Sequence, residues 1–194
     1  MLKTILRASA ATALIAGVGL GAANLSFAPA QAEETVEVGG APMYPSKNIV
    51  ENAVNSKDHT TLVAAVKAAG LVDTLAGPGP FTVFAPTNEA FAKLPDGTVD
   101  TLLKPENKDQ LTKVLTYHVV ATSALSDAIS KMIMDDGGEH PVNTVSGHKL
   151  VAMQKDGKIM LKDEMGNVAT VTIADVKQSN GVIHVIDTVL LPKS

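Results

Sequence analysis

The feature that most constrains this chain is a change of hydrophobic period near residue 118. Ahead of it, apolar residues recur at helical spacing. Ile49, Val50, Ala53 and Val54 fall at i, i+1, i+4 and i+5, and Leu62, Val66 and Ala69 at i, i+4 and i+7. Leu111, Val114, Leu115 and His118 follow at i, i+3, i+4 and i+7, a stripe that aims His118 inward. Beyond it the runs are strand-like. Leu150 to Met153 and Ile159 to Leu161 flank Asp156-Gly157, while Val168 to Val176 and Val182 to Ile186 flank Asn180-Gly181. Both dipeptides accept the positive φ angles of tight hairpin turns, which predicts antiparallel sheet. Helices first and strands afterwards define an α+β domain.

Local punctuation fills in this outline. Asp58 is a cap and Gly70 a stop for the helix that carries Leu62. Phe81-Thr82-Val83-Phe84 lies between Gly77-Pro78-Gly79-Pro80 and Pro86, which suits a short buried strand. Thr87 offers a helix N-cap, with Glu89 favourably placed against the first-turn dipole. Pro105 suits the first position of a longer helix. Val189-Leu190-Leu191 is expected as a last strand, closed by Pro192.

Residues 1–32 are set apart from the fold. Lys3 and Arg7 precede a small-apolar run from Ala8 to Ala23, and Ala30-Gln31-Ala32 is an A-x-A cleavage signature, so the segment reads as a signal peptide cleaved after Ala32. It is rich in Ala and Gly and short of the about 20 strongly apolar residues of a membrane span. Residues 33–45 read as a flexible leader and 46–194 as the domain. Without Lys3 and Arg7 the 16 basic residues become 14 against 20 acidic ones, a formal charge of −6 that argues against nucleic acid as a partner. No second apolar run of membrane length follows, so a soluble periplasmic or secreted product is expected. The chain has no Cys, hence neither a disulfide framework nor an acceptor for lipid. With only four Phe and two Tyr, its stability must come from aliphatic packing.

Three segments taken in order resemble the fasciclin family: Gly79-Pro80-Phe81-Thr82-Val83-Phe84-Ala85-Pro86-Thr87-Asn88-Glu89-Ala90-Phe91, then Leu115-Thr116-Tyr117-His118-Val119-Val120, then Ile173-Ala174-Asp175-Val176 through Ser179-Asn180-Gly181-Val182-Ile183-His184-Val185-Ile186-Asp187. The resemblance covers about residues 46 to 192. It implies a wedge-shaped β-sheet arrangement with helices packed around it, and the first and last boxes side by side. It also implies a repertoire dominated by extracellular adhesion and protein interaction. Some animal members contact integrins through an Asp-Ile pair just before the last hairpin; here that pair is Asp175-Val176.

The residues themselves favour packing over chemistry. Tyr117 and His118 read as a buried, hydrogen-bonded pair fastening helix to sheet, and His184 shares a sheet face with Val182 and Ile186. Asp175 is expected near a bulge, because Ile173 and Val176 are out of period-2 phase. No G-x-S-x-G elbow, Cys nucleophile, phosphate-cradling loop or H-E-x-x-H helix occurs, so no enzyme and no cofactor are expected. Met132-x-Met134 with His140 and His148 combines thioethers with imidazoles, a donor set suited to copper. Read as a strand, it places both Met side chains on one face, where they serve as core filling. The expectation is an exported, non-enzymatic adhesion or protein-interaction module whose candidate binding residues are Tyr117, His118, Asp175, Val176 and Asn180. The alternative is carriage of an apolar small molecule such as a carotenoid.

Overall fold

A computed structural model describes residues 34–193; the signal peptide expected over 1–32 lies outside the described residues. In chain order, β1 (Val36–Val38) and β2 (Ala41–Met43) form a hairpin. They are followed by α1 (Ile49–Ala53), α2 (Thr60–Ala69) and α3 (Val72–Ala76), then β3 (Phe81–Pro86). Next come α4 (Asn88–Ala92), α5 (Thr98–Leu102), α6 (Lys108–Tyr117), β4 (Val119–Val120) and α7 (Ser126–Asp135). Five strands complete the chain: β5 (Glu139–Asn143), β6 (Lys149–Lys155), β7 (Lys158–Lys162), β8 (Val168–Gln178) and β9 (Gly181–Ile186).

Seven strands form one sheet in the order β4-β3-β9-β8-β7-β6-β5. β5 to β9 pair antiparallel in sequence, as the two hairpin dipeptides predict. The central pair β3–β9 is parallel, with register running from Phe81 against Gly181 to Pro86 against Ile186, so the first and last boxes do lie side by side. Val145 N–H donates to the Val119 carbonyl (2.8 Å). This links the segment after β5 to β4, so the two sheet edges approach and the sheet nearly closes.

Core lies on both faces of the central pair. Val83, Ala85, Ile183 and Val185 pack with Leu62, Val66, Leu111, Val114 and Leu115 of the N-terminal helices. Phe84 and Ile186 join a second cluster with Tyr117, Ile129, Ile133, Leu150, Leu161 and Leu190. Two buried faces explain why Phe81 to Phe84 is a short apolar run without clean alternation.

Five local expectations differ from the structure. Within the expected leader, Val36 to Met43 hold regular structure. Gly39 and Gly40, at φ 61° and 72°, turn a hairpin whose Val38, Ala41 and Met43 are buried in the first core. Buried Asn52 fastens it, accepting from Tyr44 N–H (3.1 Å) while its amide donates to the Tyr44 carbonyl (2.8 Å) and to Gln178. Three-residue strands are too short to display a period. Asp58 sits inside a 3₁₀ turn, Lys57–His59, and the first turn of α2 is capped from a distance, Asn88 Oδ1 accepting from Thr61 N–H (3.0 Å) and the Thr60 hydroxyl (3.1 Å). Met132 and Met134 lie on α7 rather than a strand, so they point apart: Met132 is half-buried and Met134 is 66% exposed. The spacing of Ile129, Met132 and Ile133 is i, i+3, i+4, a helical signal masked by the glycines that follow. Val189 to Leu191 form no strand. Their N–H groups go to side chains instead, Leu190 to His118 Nε2 (3.0 Å) and Leu191 to Asp163 (2.9 Å).

The fifth difference concerns the hairpin glycines. Asp156 and Gly157 adopt positive φ (52° and 77°) as expected. The β8–β9 turn is made by Ser179 and Asn180, and Gly181 stands outside the left-handed region. What Gly181 supplies is the absence of a Cβ, which would overlap the Phe81 carbonyl; a Cβ on Gly79 would likewise overlap the Asn180 carbonyl. Phe81 N–H bonds that same Asn180 carbonyl (3.1 Å), so the parallel strands are in contact from their first residue.

Candidate functional site

The five residues singled out from the sequence are held by the protein itself. Tyr117 is fully buried, its hydroxyl donating to the Lys149 carbonyl (2.8 Å) and accepting from Glu164 N–H (3.2 Å). Burial pushes this phenol up to about 12. His118, also buried, donates from Nδ1 to the Val114 carbonyl (2.8 Å) and accepts from Leu190 N–H at Nε2. Burial lowers its pKa to about 4, so the ring stays neutral near pH 7. The pair fastens α6 to the sheet and to the C-terminal strap. Val176, 1% exposed, belongs to the first core. Tyr117, His118 and Val176 are thus at most 3% exposed and are engaged by the protein's own packing.

Asn180 is a three-way tie. Its Oδ1 accepts from Ile49 N–H (3.1 Å), and its amide donates to the carbonyls of Leu75 (2.8 Å) and Gly77 (2.9 Å). It thereby joins α1, the end of α3 and the β8–β9 turn. Asn180→Ala leaves three backbone groups without their partner and is expected to cost about 2 kcal/mol. Urea titration of the variant checks this; a loss under about 0.5 kcal/mol, a quarter of the expected cost, would remove Asn180 from this role.

Asp175, half-buried like Asn180, is the member that organises a surface. Register shifts on either side of Ile173 mark the expected bulge, and Asp175 within it has φ 59°. Asp tolerates this left-handed backbone better than most side chains. The bulge aims its carboxylate at the start of α7, whose N-cap residue, Leu125, offers no side-chain acceptor. Asp175 accepts from Ser126 N–H (2.7 Å) and from the Ser126 hydroxyl. Here a carboxylate meets the positive end of the helix dipole.

Two further side chains hold the loop that precedes α7. Thr82 Oγ donates to the Thr122 carbonyl (2.6 Å) and accepts from Ala124 N–H (2.9 Å). His184, stacked on Phe84 at 5.7 Å, donates from Nε2 to the Ala124 carbonyl (2.9 Å) and accepts Asp175 N–H at Nδ1 (3.3 Å). The backbone of the β4–α7 loop is thus clamped by side chains from β3, β8 and β9. Its Ala121, Thr122, Ser123 and Leu125, together with Asp127, remain exposed. The bulge was legible from the broken alternation of Ile173 and Val176. Ser126, 49 residues from its acceptor, carried no local signal.

Ser126, Asp175 and His184 form a serine–carboxylate–imidazole cluster without the connectivity of a hydrolytic relay. Both ring nitrogens of His184 are committed to backbone groups, and the serine hydroxyl points at the carboxylate rather than the imidazole. Burial lowers the His184 pKa and keeps the ring neutral. Beside the loop, a 220 Å³ cavity is lined by Phe84, Val120, Ile129, Met132, His140 and Val142 among others. On the other side of Asp175, a wider 720 Å³ depression runs along β1, with Lys177 and Glu34 on its walls.

A nearly closed sheet with core on both faces, helices mainly in the N-terminal half and a surface loop clamped beside it define the class of fold. The chain belongs to the fasciclin domain family, whose model matches residues 57–192. It is 47% identical over 192 residues to protein sll1483 of Synechocystis sp., covering 98% of this chain and 99% of that one. It is 37% identical over 150 residues to immunogenic protein MPB70 of Mycobacterium bovis, covering 72% and 66% respectively. In structure it resembles the FAS1 domain pair of the insect cell adhesion molecule Fasciclin I. The TM-score is 0.68 at 18% identity, with 76% of this chain and 52% of that one covered, a likeness of fold.

Proposed function

We propose that the domain is an exported, non-enzymatic interaction module that holds a protein or matrix partner at the cell envelope. Its contact surface is the clamped β4–α7 loop with the neighbouring depression at Asp175. The observation that carries this reading is the clamp. Thr82, His184 and Asp175 fix the loop backbone from three strands while its side chains stay in solvent, the arrangement by which rigid scaffolds present binding loops. Pre-ordering of this kind lowers the entropy cost of association. Adhesion is stated for the insect Fasciclin I molecule that shares the fold, which supports the same class of work here. Among the described residues no helix is long and apolar enough to cross a membrane, so the module would reach the envelope through its export segment.

The exposed Leu125 is the natural probe, because Leu125→Asp changes the surface without touching the core. Crosslinking on intact cells is expected to capture a partner with the wild-type chain, to lose at least 80% of it (about a fivefold change, or 1 kcal/mol) with Leu125→Asp, and to retain it with Lys155→Glu at the β6–β7 turn. Equal capture by both variants, together with unchanged attachment of cells lacking the protein, would overturn the proposal. A carotenoid-sized ligand finds less support. The apolar cavities of 220 and 50 Å³ fall below the roughly 300 Å³ at which pockets for drug-sized ligands begin, and the 720 Å³ depression beside β1 carries Glu34, Asp175 and Lys177 on its walls.

A further inference from the structure

Strands β5 to β8 bury one face and leave the other open. Leu150, Ala152, Ile159, Leu161 and Ala169 alternate inward and pack with Ile129 and Ile133 of α7. The register sets the opposite side chains in rows across the strands. One row runs Pro141, Val151, Lys162, Val168 and the next Glu139, Met153, Met160, Thr170, all of them half-buried or exposed. Asn143 and Lys149 pair beyond the first row, and Lys155 and Lys158 beyond the second. The result is an apolar middle of Val151, Met153, Met160 and Val168, with Lys149 and Lys162 towards one end and Lys155 and Lys158 at the other.

The charge of this face runs against that of the chain. After residue 32 there are 14 basic residues against 20 acidic ones, yet the face carries four lysines against one carboxylate, Glu139. Among the described residues none of the four is in an ion pair, and the lysines that are, Lys93 and Lys131, lie elsewhere. Two further acids stand at its ends: Asp156 in the β6–β7 turn, and Glu164, which is engaged by Lys193 N–H (3.0 Å) and His148 (2.9 Å). Lys155 and Lys158 are directly opposite each other, a like-charged cross-strand pair that costs stability by itself and that a nearby anion relieves.

Spacing and composition select the anion. Lys149 and Lys155 open and close β6, a strand of 7 residues, and so stand about 20 Å apart. Charges act over only about 8 Å in physiological salt, so a single phosphate or carboxylate cannot serve both ends, whereas a continuous anionic surface does. Protein partners are met mainly through Trp, Tyr and Arg, with Lys depleted from the contact, and this face has no aromatic residue and no Arg. Ammonium groups on long stems around thioether and aliphatic side chains suit a lipid headgroup layer instead. The apolar chains enter the acyl boundary while the ammonium groups stay among the phosphates.

We infer that the open face of β5 to β8 docks flat on an anionic lipid surface, its lysines on the headgroup phosphates and Met153 and Met160 at the acyl boundary. It shares no residue with the clamped loop, so its test is independent of the interaction function. The chain from residue 33, which holds every described element and lacks the apolar run before it, is sedimented with vesicles. These are of phosphatidylcholine alone, or of phosphatidylcholine and phosphatidylglycerol in equal parts. Binding to the anionic vesicles is expected to be at least about tenfold tighter than to the neutral ones, and to fall at least about tenfold in molar salt. Lys158→Glu with Lys162→Glu should weaken it at least about tenfold. Lys155→Glu alone, which spares capture at the loop, should weaken it about fivefold. Lys67→Glu with Lys104→Glu, the same change of charge at exposed positions elsewhere, should cost less than about threefold. With the wild-type chain on bicelles carrying a paramagnetic lipid, the methyl signals of Met153 and Met160 should broaden and that of Met134, exposed on α7, should not. This readout needs no variant to fold. Absence of binding to the anionic vesicles would overturn the proposal, as would equal binding to the neutral ones, equal losses in the two double variants, or broadening of Met134 alone. Binding to poly-glutamate with none to anionic vesicles would overturn it in favour of an acidic polypeptide.

Discussion

Lowering the pH from 7 to 4 is expected to remove about 3 kcal/mol of stability through His118 alone. The folded ring is held at about 4 against 6.5 when unfolded, chiefly because burial disfavours its charged form. Between those values the unfolded chain binds the proton and the folded one does not. The contribution is therefore complete above about 6.5 and is lost as the pH falls towards 4. His59 and His184 are also buried, with pKa values lowered for the same reason, so they act in the same direction. The structural consequence is local as well. A protonated His118 cannot accept Leu190 N–H, which is one of the bonds holding the C-terminal strap. Urea unfolding at several pH values between 7.5 and 4 measures this directly. His118→Gln should reduce the pH slope by up to one proton, whatever it does to stability at pH 7. A flat profile from pH 7 to 5, or an unchanged slope in His118→Gln, would show that the ring is not the buried neutral acceptor described.

The second large effect belongs to a single hydrogen atom. Gly181→Ala is expected to cost about 3 kcal/mol or more, because the new methyl group would overlap the Phe81 carbonyl at the head of the parallel β3–β9 pair. Neither neighbour can yield without opening the strands that carry core on both faces. Gly79→Ala should behave alike, since its methyl group would meet the Asn180 carbonyl. Gly147→Ala is the comparison. That residue has φ 84° with open space around it, so only backbone strain of about 1–2 kcal/mol is at stake. Denaturant midpoints of the three variants decide the matter. Equal costs at 181 and 147 would mean that close strand approach is not what glycine provides at 181.

Much of this protein was present in the order of its residues. The helical stripes ending at His118, the hairpins around Asp156-Gly157 and Asn180-Gly181, the Thr87 cap, with Ala90 N–H on its hydroxyl at 3.2 Å, and the inward direction of His118 and His184 all show in patterns spanning a few residues. Periodicity and propensity report such short-range physics well. The same local logic failed for the β1–β2 hairpin, where two three-residue strands carry too few positions to show alternation. It failed for α7, whose Met-rich run reads equally as strand until its neighbours are known.

Only the tertiary structure decided the rest. The cap of α2 comes from Asn88 and that of α7 from Asp175, 49 residues beyond Ser126. Asn180 bonds Ile49 across 131 residues. That Met132 and His140 line one cavity while Met134 points into solvent depends on how α7 packs against β5. Residue order limits which side chains can hydrogen-bond or coordinate, since donor and acceptor chemistry is local. Which of them meet is set by chain reversal and burial, and these depend on the whole core forming at once. Thus the α+β class, the fasciclin boxes and the lack of Cys follow from the sequence. The clamped loop, with the surface it presents, exists only because a parallel strand pair brings β3 and β9 together and a bulge in β8 turns one carboxylate towards a helix.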